Sequence, residues 1–230
     1  MLEKLQRQPR LVLIDLDGTL VDSVPDLAHC VDMMMTELSL APRGEAAVRE
    51  WIGNGVPVLV RRALTGTLDG EADATLYEKA LKIFLDLYRQ NVCVYSRLYP
   101  GVQEGLDYLQ KAGYKLGCVT NKAAAFTEPL LEKLGVKDYF KVIISGDTLD
   151  KKKPDPAPLF YGAEKLAEKP ENALMIGDSM HDVDAARAAG FQVICVSYGY
   201  NHGIDIREAN PDAVIDSFTE LEALLAVAAI

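Results

Sequence analysis

Residues 11–20, LVLIDLDGTL, decide how the rest of the chain is read. Four apolar residues, Leu11–Ile14, form a short buried-strand pattern that ends in an acid, an apolar residue, a second acid and a glycine. Side chains alternate along an extended chain, so Asp15 and Asp17 point to one side while Leu16 points to the other. Two carboxylates that close repel each other, and a buried site keeps both usable only with a cation beside them. Gly18 and Thr19 supply a turn with backbone N–H groups free to cradle phosphate oxygens.

Working outward, further apolar runs recur at KLGCVT (115–120), KVIISG (141–146), ALMIG (173–177), QVICVS (192–197) and AVID (213–216), with amphipathic segments between them. That alternation predicts an α/β fold, a doubly wound and mostly parallel Rossmann-like sheet covered by helices on both faces. Right-handed crossovers then bring the C-terminal end of every strand to one edge, where open α/β sheets bind ligands. One interval breaks the rhythm. Residues 22–95 read as helical throughout, with helices suggested by VDSVPDLAHCVDMMMTEL, VPVLVRRAL and ATLYEKALKIFLDLYRQ. In the first of these Ser23 is read as the N-cap, with Pro25 in the first turn and Asp26 at the capping-box position. The domain reading is therefore a core of residues 1–21 and 97–230, and an inserted all-helical cap of residues 22–96 rejoining the core near Tyr99-Pro100-Gly101.

Three more polar motifs follow apolar runs. VTNK (119–122) puts Thr120 and Asn121 at a strand end, both able to donate to a phosphate. DKKKPDPAPL (150–159) places Lys153 directly before Pro154, a rigid way to present one ammonium. IGDSMHDVDAARAAG (176–190) sets Asp178 at a strand tip and Asp182 in the first turn of the next helix, where the helix dipole favours an acid in any case. Each motif alone is an ordinary strand-to-turn sequence. Together they converge three carboxylates, one ammonium and several N–H groups on one point, the arrangement that a metal and a phosphoryl group require.

Composition narrows the partners. With 24 basic against 34 acidic residues the net charge is −10, and no basic run tracks a nucleic-acid backbone. No stretch approaches the roughly 18 apolar residues of a membrane span. The polar MLEKLQRQPR does not read as a signal peptide, so the expected location is cytoplasmic. Cys30, Cys93, Cys118 and Cys195 lack metal-type spacing and read as reduced structural thiols.

The four motifs, in this order, resemble those of the haloacid dehalogenase-like hydrolases: DLDGTL, the threonine of VTN, the lysine of KKKPDP, and GDSMHD. DLDGTLVDSVPDL, WIGNGVPVLVRRAL, KKKPDPAPL and SYGYNHG resemble, within that superfamily, the bacterial phosphoglycolate phosphatases with a helical C1 cap. The resemblance implies a phosphomonoesterase that cleaves 2-phosphoglycolate with Mg²⁺. It makes Asp15 the nucleophile, Asp17 the general acid and then base, and Thr120, Asn121, Lys153 and backbone groups near Gly18 the phosphate partners. It assigns the metal to the carboxylates of Asp15 and Asp178 and the backbone carbonyl of Asp17, with Asp182 orienting a bound water or Lys153. An acid at Asp17 argues against relatives that cleave carbon–halogen bonds, since no alkoxide leaves there. Another small ester (a sugar phosphate or pyrophosphate), a β-phosphoglucomutase-like phosphoryl transfer, and a non-enzymatic phospho-receiver are the alternatives. In the cap, the turn Trp51–Gly55 is expected to face the site through Asn54. Arg61 and Arg62 are expected to offer cations to a substrate carboxylate, against a simpler reading of Trp51 as core and the arginines as helix surface. His29, His181 and His202 are assigned no chemistry. The sequence leaves the oligomeric state open.

Overall fold

Leu11–Ile14 is uninterruptedly apolar because both faces of the strand it forms, β1, are covered. Val12 and Ile14 join one hydrophobic cluster and Leu11 and Leu13 a second, on opposite sides of the sheet. The computed structural model describes residue 5 and residues 7–226. Most of residues 1–6, part of the stretch read as carrying no signal peptide, therefore lies outside the described residues.

The other strands are β2 (Val21–Asp22), β3 (Arg97–Leu98), β4 (Lys115–Val119), β5 (Val142–Ile144), β6 (Ala173–Gly177), β7 (Gln192–Val196) and β8 (Ala213–Ile215). Six of them make one wholly parallel sheet in the order β5-β4-β1-β6-β7-β8. From β1 the chain builds outward through β4 and β5 on one side, then returns to build β6, β7 and β8 on the other. The order therefore reverses at β1, and the crevice of a doubly wound sheet opens at the C-terminal end of β1, between β4 and β6. Helices α5 (Val102–Lys111), α6 (Ala124–Lys133), α7 (Ala157–Lys165), α8 (Met180–Ala189) and α9 (Leu221–Ala226) belong to this layer. α7 and α8 pack against each other and on the Leu11/Leu13 side, while α5 and α9 lie with the Val12/Ile14 cluster.

Between β2 and β3 stand four helices, α1 (Val24–Glu37), α2 (Glu45–Trp51), α3 (Val56–Thr65) and α4 (Ala74–Asn91). α2 is the one the sequence pattern did not suggest, being a single short stretch whose buried residues are Val48 and Trp51. The antiparallel β2–β3 pair, Val21 opposite Leu98 and Asp22 opposite Arg97, ties the start and end of the helical insert together. Strand character there was also missed, because two residues carry no legible alternation. Among the described residues no helix is long and apolar enough to cross a membrane.

The expected capping box of α1 is overturned. Ser23 makes no side-chain cap, and its hydroxyl donates instead to Asp17. Asp26, fully buried, uses its carboxylate on the far end of the insert: it accepts from the N–H groups of Val94, Tyr95 and Ser96, at 3.1, 2.7 and 3.0 Å, and from the Ser96 hydroxyl. A tertiary demand from four donors outweighs a local cap. Asp26 thus fastens the segment leading into β3 to the first helix. Asp26→Ala should strand those N–H groups and cost on the order of 3 kcal/mol of stability, with Asp26→Asn losing less. Urea unfolding measures this, and a loss under about 1 kcal/mol for the alanine variant would contradict it.

Candidate active site

Where β1 ends, the sheet still holds the backbone: the Asp15 N–H donates to the Ile176 carbonyl at 2.9 Å. Leu16 then turns inward and is fully buried, and its carbonyl collects the N–H groups of Leu20 and Val21, each at 3.0 Å. This loop needs Gly18. Its φ is +88°, and a Cβ there would lie 2.2 Å from Oδ2 of Asp178. Because the Gly18 N–H is spent on the Val21 carbonyl at 2.9 Å, Gly18 does not offer its amide to a phosphate as expected. Its contribution is room for Asp178.

The Asp15 Oδ1 accepts from the Leu16 N–H at 2.7 Å and from the Lys153 ammonium at 2.9 Å. Lys153, 2 % exposed at its side chain, also donates to Asp182 Oδ1 at 2.6 Å and to the Val119 carbonyl at 2.8 Å. Asp182 in turn accepts from the Ser179 N–H and hydroxyl at 3.0 and 2.7 Å, so it both closes the first turn of α8 and anchors Lys153. Asp178 accepts from the Thr19 hydroxyl at 2.7 Å and the Tyr200 N–H at 2.6 Å. One oxygen from each of Asp15, Asp178 and Asp182 falls within 4.8 Å of the others.

Three buried carboxylates face one buried ammonium here, and their proton affinities follow. Burial pushes Asp15 from 3.8 up to about 7, with Lys153 opposing and Asp182 reinforcing. Burial raises Asp178 as well, helped by the charges of Asp182 and Asp15. For Asp182 burial also acts upward, but Lys153 and the Ser179 hydrogen bonds prevail and hold it low. On Lys153 burial acts downward and is overcome by Asp15 and Asp182, so the ammonium stays charged. The cluster therefore carries more negative charge than its one lysine offsets. A divalent cation among Asp15, Asp178 and their neighbours fits that excess, and oxygen donors of this type suit a hard ion.

A cavity of about 60 Å³ opens over these groups. Its floor is Asp15, Asp17, Thr120, Asn121, Lys122, Lys153 and Asp178, and its roof is contributed by Leu27, Ile52, Gly53, Gly55, Val56 and Leu59 of the helical insert. Thr120 is buried with its hydroxyl accepting from the Lys122 N–H at 3.2 Å. The Asn121 amide donates both to the Lys153 carbonyl and to the Gly53 carbonyl, at 3.0 and 3.2 Å, joining two strand ends to the roof.

Three expectations for the roof are corrected. Asn54 does not face the cavity: its amide pairs with His181 Nε2 at 2.9 Å and its carbonyl accepts from Arg62 at 3.0 Å. Arg62 is occupied by backbone, donating to the Trp51 carbonyl at 2.6 Å and the Leu68 carbonyl at 3.1 Å. Arg61 is exposed on α3, outside the cavity lining. Trp51 belongs to the core, as the simpler reading had it. Conversely, His181 lines the cavity, where burial depresses its pKa. Tyr200 and Lys122 also went unread as site residues, and Ser23 was read only as a helix cap. Lys122 stood inside the quoted VTNK motif, but only the chain's return past Asp17 shows what it meets.

The pattern characteristic of the family described as "Haloacid dehalogenase-like hydrolase" matches residues 12–196. A phosphoglycolate phosphatase of Nitrosococcus oceani is 59 % identical over 97 % of this chain and 99 % of its own length. The phosphoglycolate phosphatase of Nitrosospira multiformis is 47 % identical, covering 94 % and 95 %. Among solved structures, a predicted phosphoglycolate phosphatase from Haemophilus somnus superposes with a TM-score of 0.89 at 37 % identity, over 95 % of this chain and 98 % of that one. The doubly wound sheet, the four motifs gathered at its switch point and relatives that span nearly its whole length lead to one conclusion: the chain belongs to the haloacid dehalogenase-like hydrolases.

Proposed function

We propose that the protein is a phosphoglycolate phosphatase, hydrolysing 2-phosphoglycolate to glycolate and phosphate through a phosphorylated Asp15. The observation that carries the chemistry is the state of the Asp15 carboxylate. Oδ1 is fixed by Leu16 and Lys153, while Oδ2 has no protein donor among the described residues. One oxygen is anchored and the other faces a cavity, as an in-line nucleophile requires. The substrate itself is supported by the relatives named above.

In this reading residues 22–96 are the cap and residues 1–21 and 97–230 the catalytic core. Asp15 Oδ2 attacks phosphorus, the bond from phosphorus to the glycolate oxygen breaks, and Asp17 gives its proton to the departing alkoxide. A water then attacks phosphorus, Asp17 takes its proton, and the bond to Asp15 breaks to restore the carboxylate. Thr120 bears on the charge spreading over the phosphoryl oxygens, and Lys153, held by Asp182 with its three protons on Asp15, Asp182 and the Val119 carbonyl, adds its positive charge there without a hydrogen bond of its own to spare. Mg²⁺, held by the carboxylates of Asp15 and Asp178 and the backbone carbonyl of Asp17, supplies the positive charge that lets two anions meet. Among the described residues no arginine lines the cavity, and the roof facing a substrate carboxylate is apolar apart from the backbone around Gly53 and Gly55, with His181 at its margin. A cytoplasmic location belongs to the same reading.

Phosphate release from a panel of small esters tests the assignment. 2-Phosphoglycolate should lead the panel in kcat/KM by more than about tenfold, roughly 1.4 kcal/mol. Asp15→Asn should lower turnover at least about 1,000-fold, and an unchanged rate would remove Asp15 as nucleophile. The raised Asp15 pKa gives a second test. With 3.8 for the unfolded chain and about 7 for the metal-free fold, protonated Asp15 contributes stability below pH 3.8 that is lost as pH rises toward 7. Cation binding needs the ionised carboxylate, so the gain in Tm from a fixed Mg²⁺ concentration should be larger at pH 7.5 than at pH 5.5. Equal gains at both pH values would contradict the placement of the cation beside Asp15.

A further inference from the structure

The ammonium of Lys122 stands 3.0 Å from Oδ1 and 3.2 Å from Oδ2 of Asp17. Its side chain is 4 % exposed, and an ammonium buried that far is retained only where partners satisfy it. Below it lies the ring of Tyr88, a buried residue of α4, with Nζ 5.1 Å from the ring centroid. The backbone of Lys122 is equally constrained. Its N–H donates to the Thr120 hydroxyl at 3.2 Å, and its carbonyl accepts from the Gly146 N–H at 2.7 Å and the Thr127 hydroxyl at 3.2 Å.

An ammonium has three protons. Two face the oxygens of Asp17 and the third has the face of Tyr88, which leaves none for a phosphate. On the other side of Asp17, the Ser23 hydroxyl donates to Oδ1 at 2.5 Å. Oδ1 therefore has two protein donors and Oδ2 has one. The open lone-pair position on Oδ2 is the place from which a proton can pass to or from a reacting oxygen.

We infer that Lys122, with Ser23, is a positioning residue for Asp17, turning Oδ2 toward the scissile oxygen and holding the carboxylate there through both chemical steps. This rests on the reading of Asp17 as proton donor and acceptor. The lysine contacts Asp17 rather than substrate, and Tyr88 extends the support into the helical insert. A helix of the insert thereby braces a proton-transfer group of the sheet edge.

The test exploits the leaving group. Glycolate leaves as an alkoxide that needs a proton, whereas acetate leaves acetyl phosphate without one. Single-turnover release of the leaving group is measured with Mg²⁺ for the wild-type chain and for Lys122→Met, Lys122→Arg, Ser23→Ala, Asp17→Asn and the Lys122→Met/Asp17→Asn double variant. Lys122→Met should slow glycolate release about 100-fold and acetate release by less than about tenfold. Lys122→Arg should recover part of the loss, and the double variant should be no slower than Asp17→Asn alone. Equal slowing of both substrates by Lys122→Met, or no slowing of either, overturns the inference, because a substrate-binding or purely structural lysine does not distinguish leaving groups. Should Lys122→Met fail to fold, Ser23→Ala must show the same selective loss at about tenfold, and its absence overturns the inference equally. If Asp17→Asn is selective and Lys122→Met is not, only the role of Lys122 falls. If neither is selective, the reading of Asp17 falls with it.

Discussion

Everything at the sheet edge depends on burying Asp15, Asp178 and Asp182 together with Lys153, which among the described residues is the one ammonium paired with them. Burial in a poorly hydrated crevice lifts the proton affinity of Asp15 to about 7, with Lys153 opposing the rise and the charge of Asp182 adding to it. The surrounding sequence can be understood as managing that cost. Thr19, Tyr200 and Ser179 donate to the carboxylates, and glycines at positions 18 and 199 leave space that a Cβ would take from Asp178. Lys153 is held charged by two of the three acids. The remaining excess of negative charge suits a cation and, through it, a phosphoryl group.

The core of this arrangement was legible in the sequence because it is carried by strand ends. Each of DLDGTL, VTNK, KKKPDP and GDSMHD follows an apolar run, and a parallel sheet brings such ends to one edge whatever the details of its loops. The crossover rules therefore convert four separated motifs into one place. Where the reading failed, the deciding interaction was long-range. Ser23 and Asp26 have the spacing of a capping box, yet one serves Asp17 and the other serves the backbone of Val94, Tyr95 and Ser96. Arg62 looked like a substrate cation and is consumed by the carbonyls of Trp51 and Leu68. Lys122 went unread because its partners, Asp17 and Tyr88, stand 105 and 34 residues away along the chain. Periodicity reports which face is buried and is silent about which distant group a polar side chain will meet.

Roof and floor are joined by a thin set of polar contacts around an apolar lining. Asn54 reaches His181, His202 reaches the Glu50 carbonyl, Asn121 reaches the Gly53 carbonyl, and Arg49 stacks on Tyr200 while pairing with Asp22. Partly exposed polar contacts of this kind contribute little individually. The seam is thin, whereas the β2–β3 pair and the Asp26 clamp keep the insert attached. Leu27, Ile52, Val56 and Leu59 then give the closed site a dry ceiling, in which the charges below act more strongly than they would in water.

The central claim is that a phosphoryl group passes through Asp15. Quenching the Mg²⁺-loaded protein during turnover of 2-phosphoglycolate, reducing any acyl phosphate with borohydride and mapping the product by peptide mass spectrometry tests it directly. The account predicts homoserine at position 15 and at no other aspartate. Reduction at another carboxylate, or none at position 15 under conditions where phosphate is being released, would contradict it.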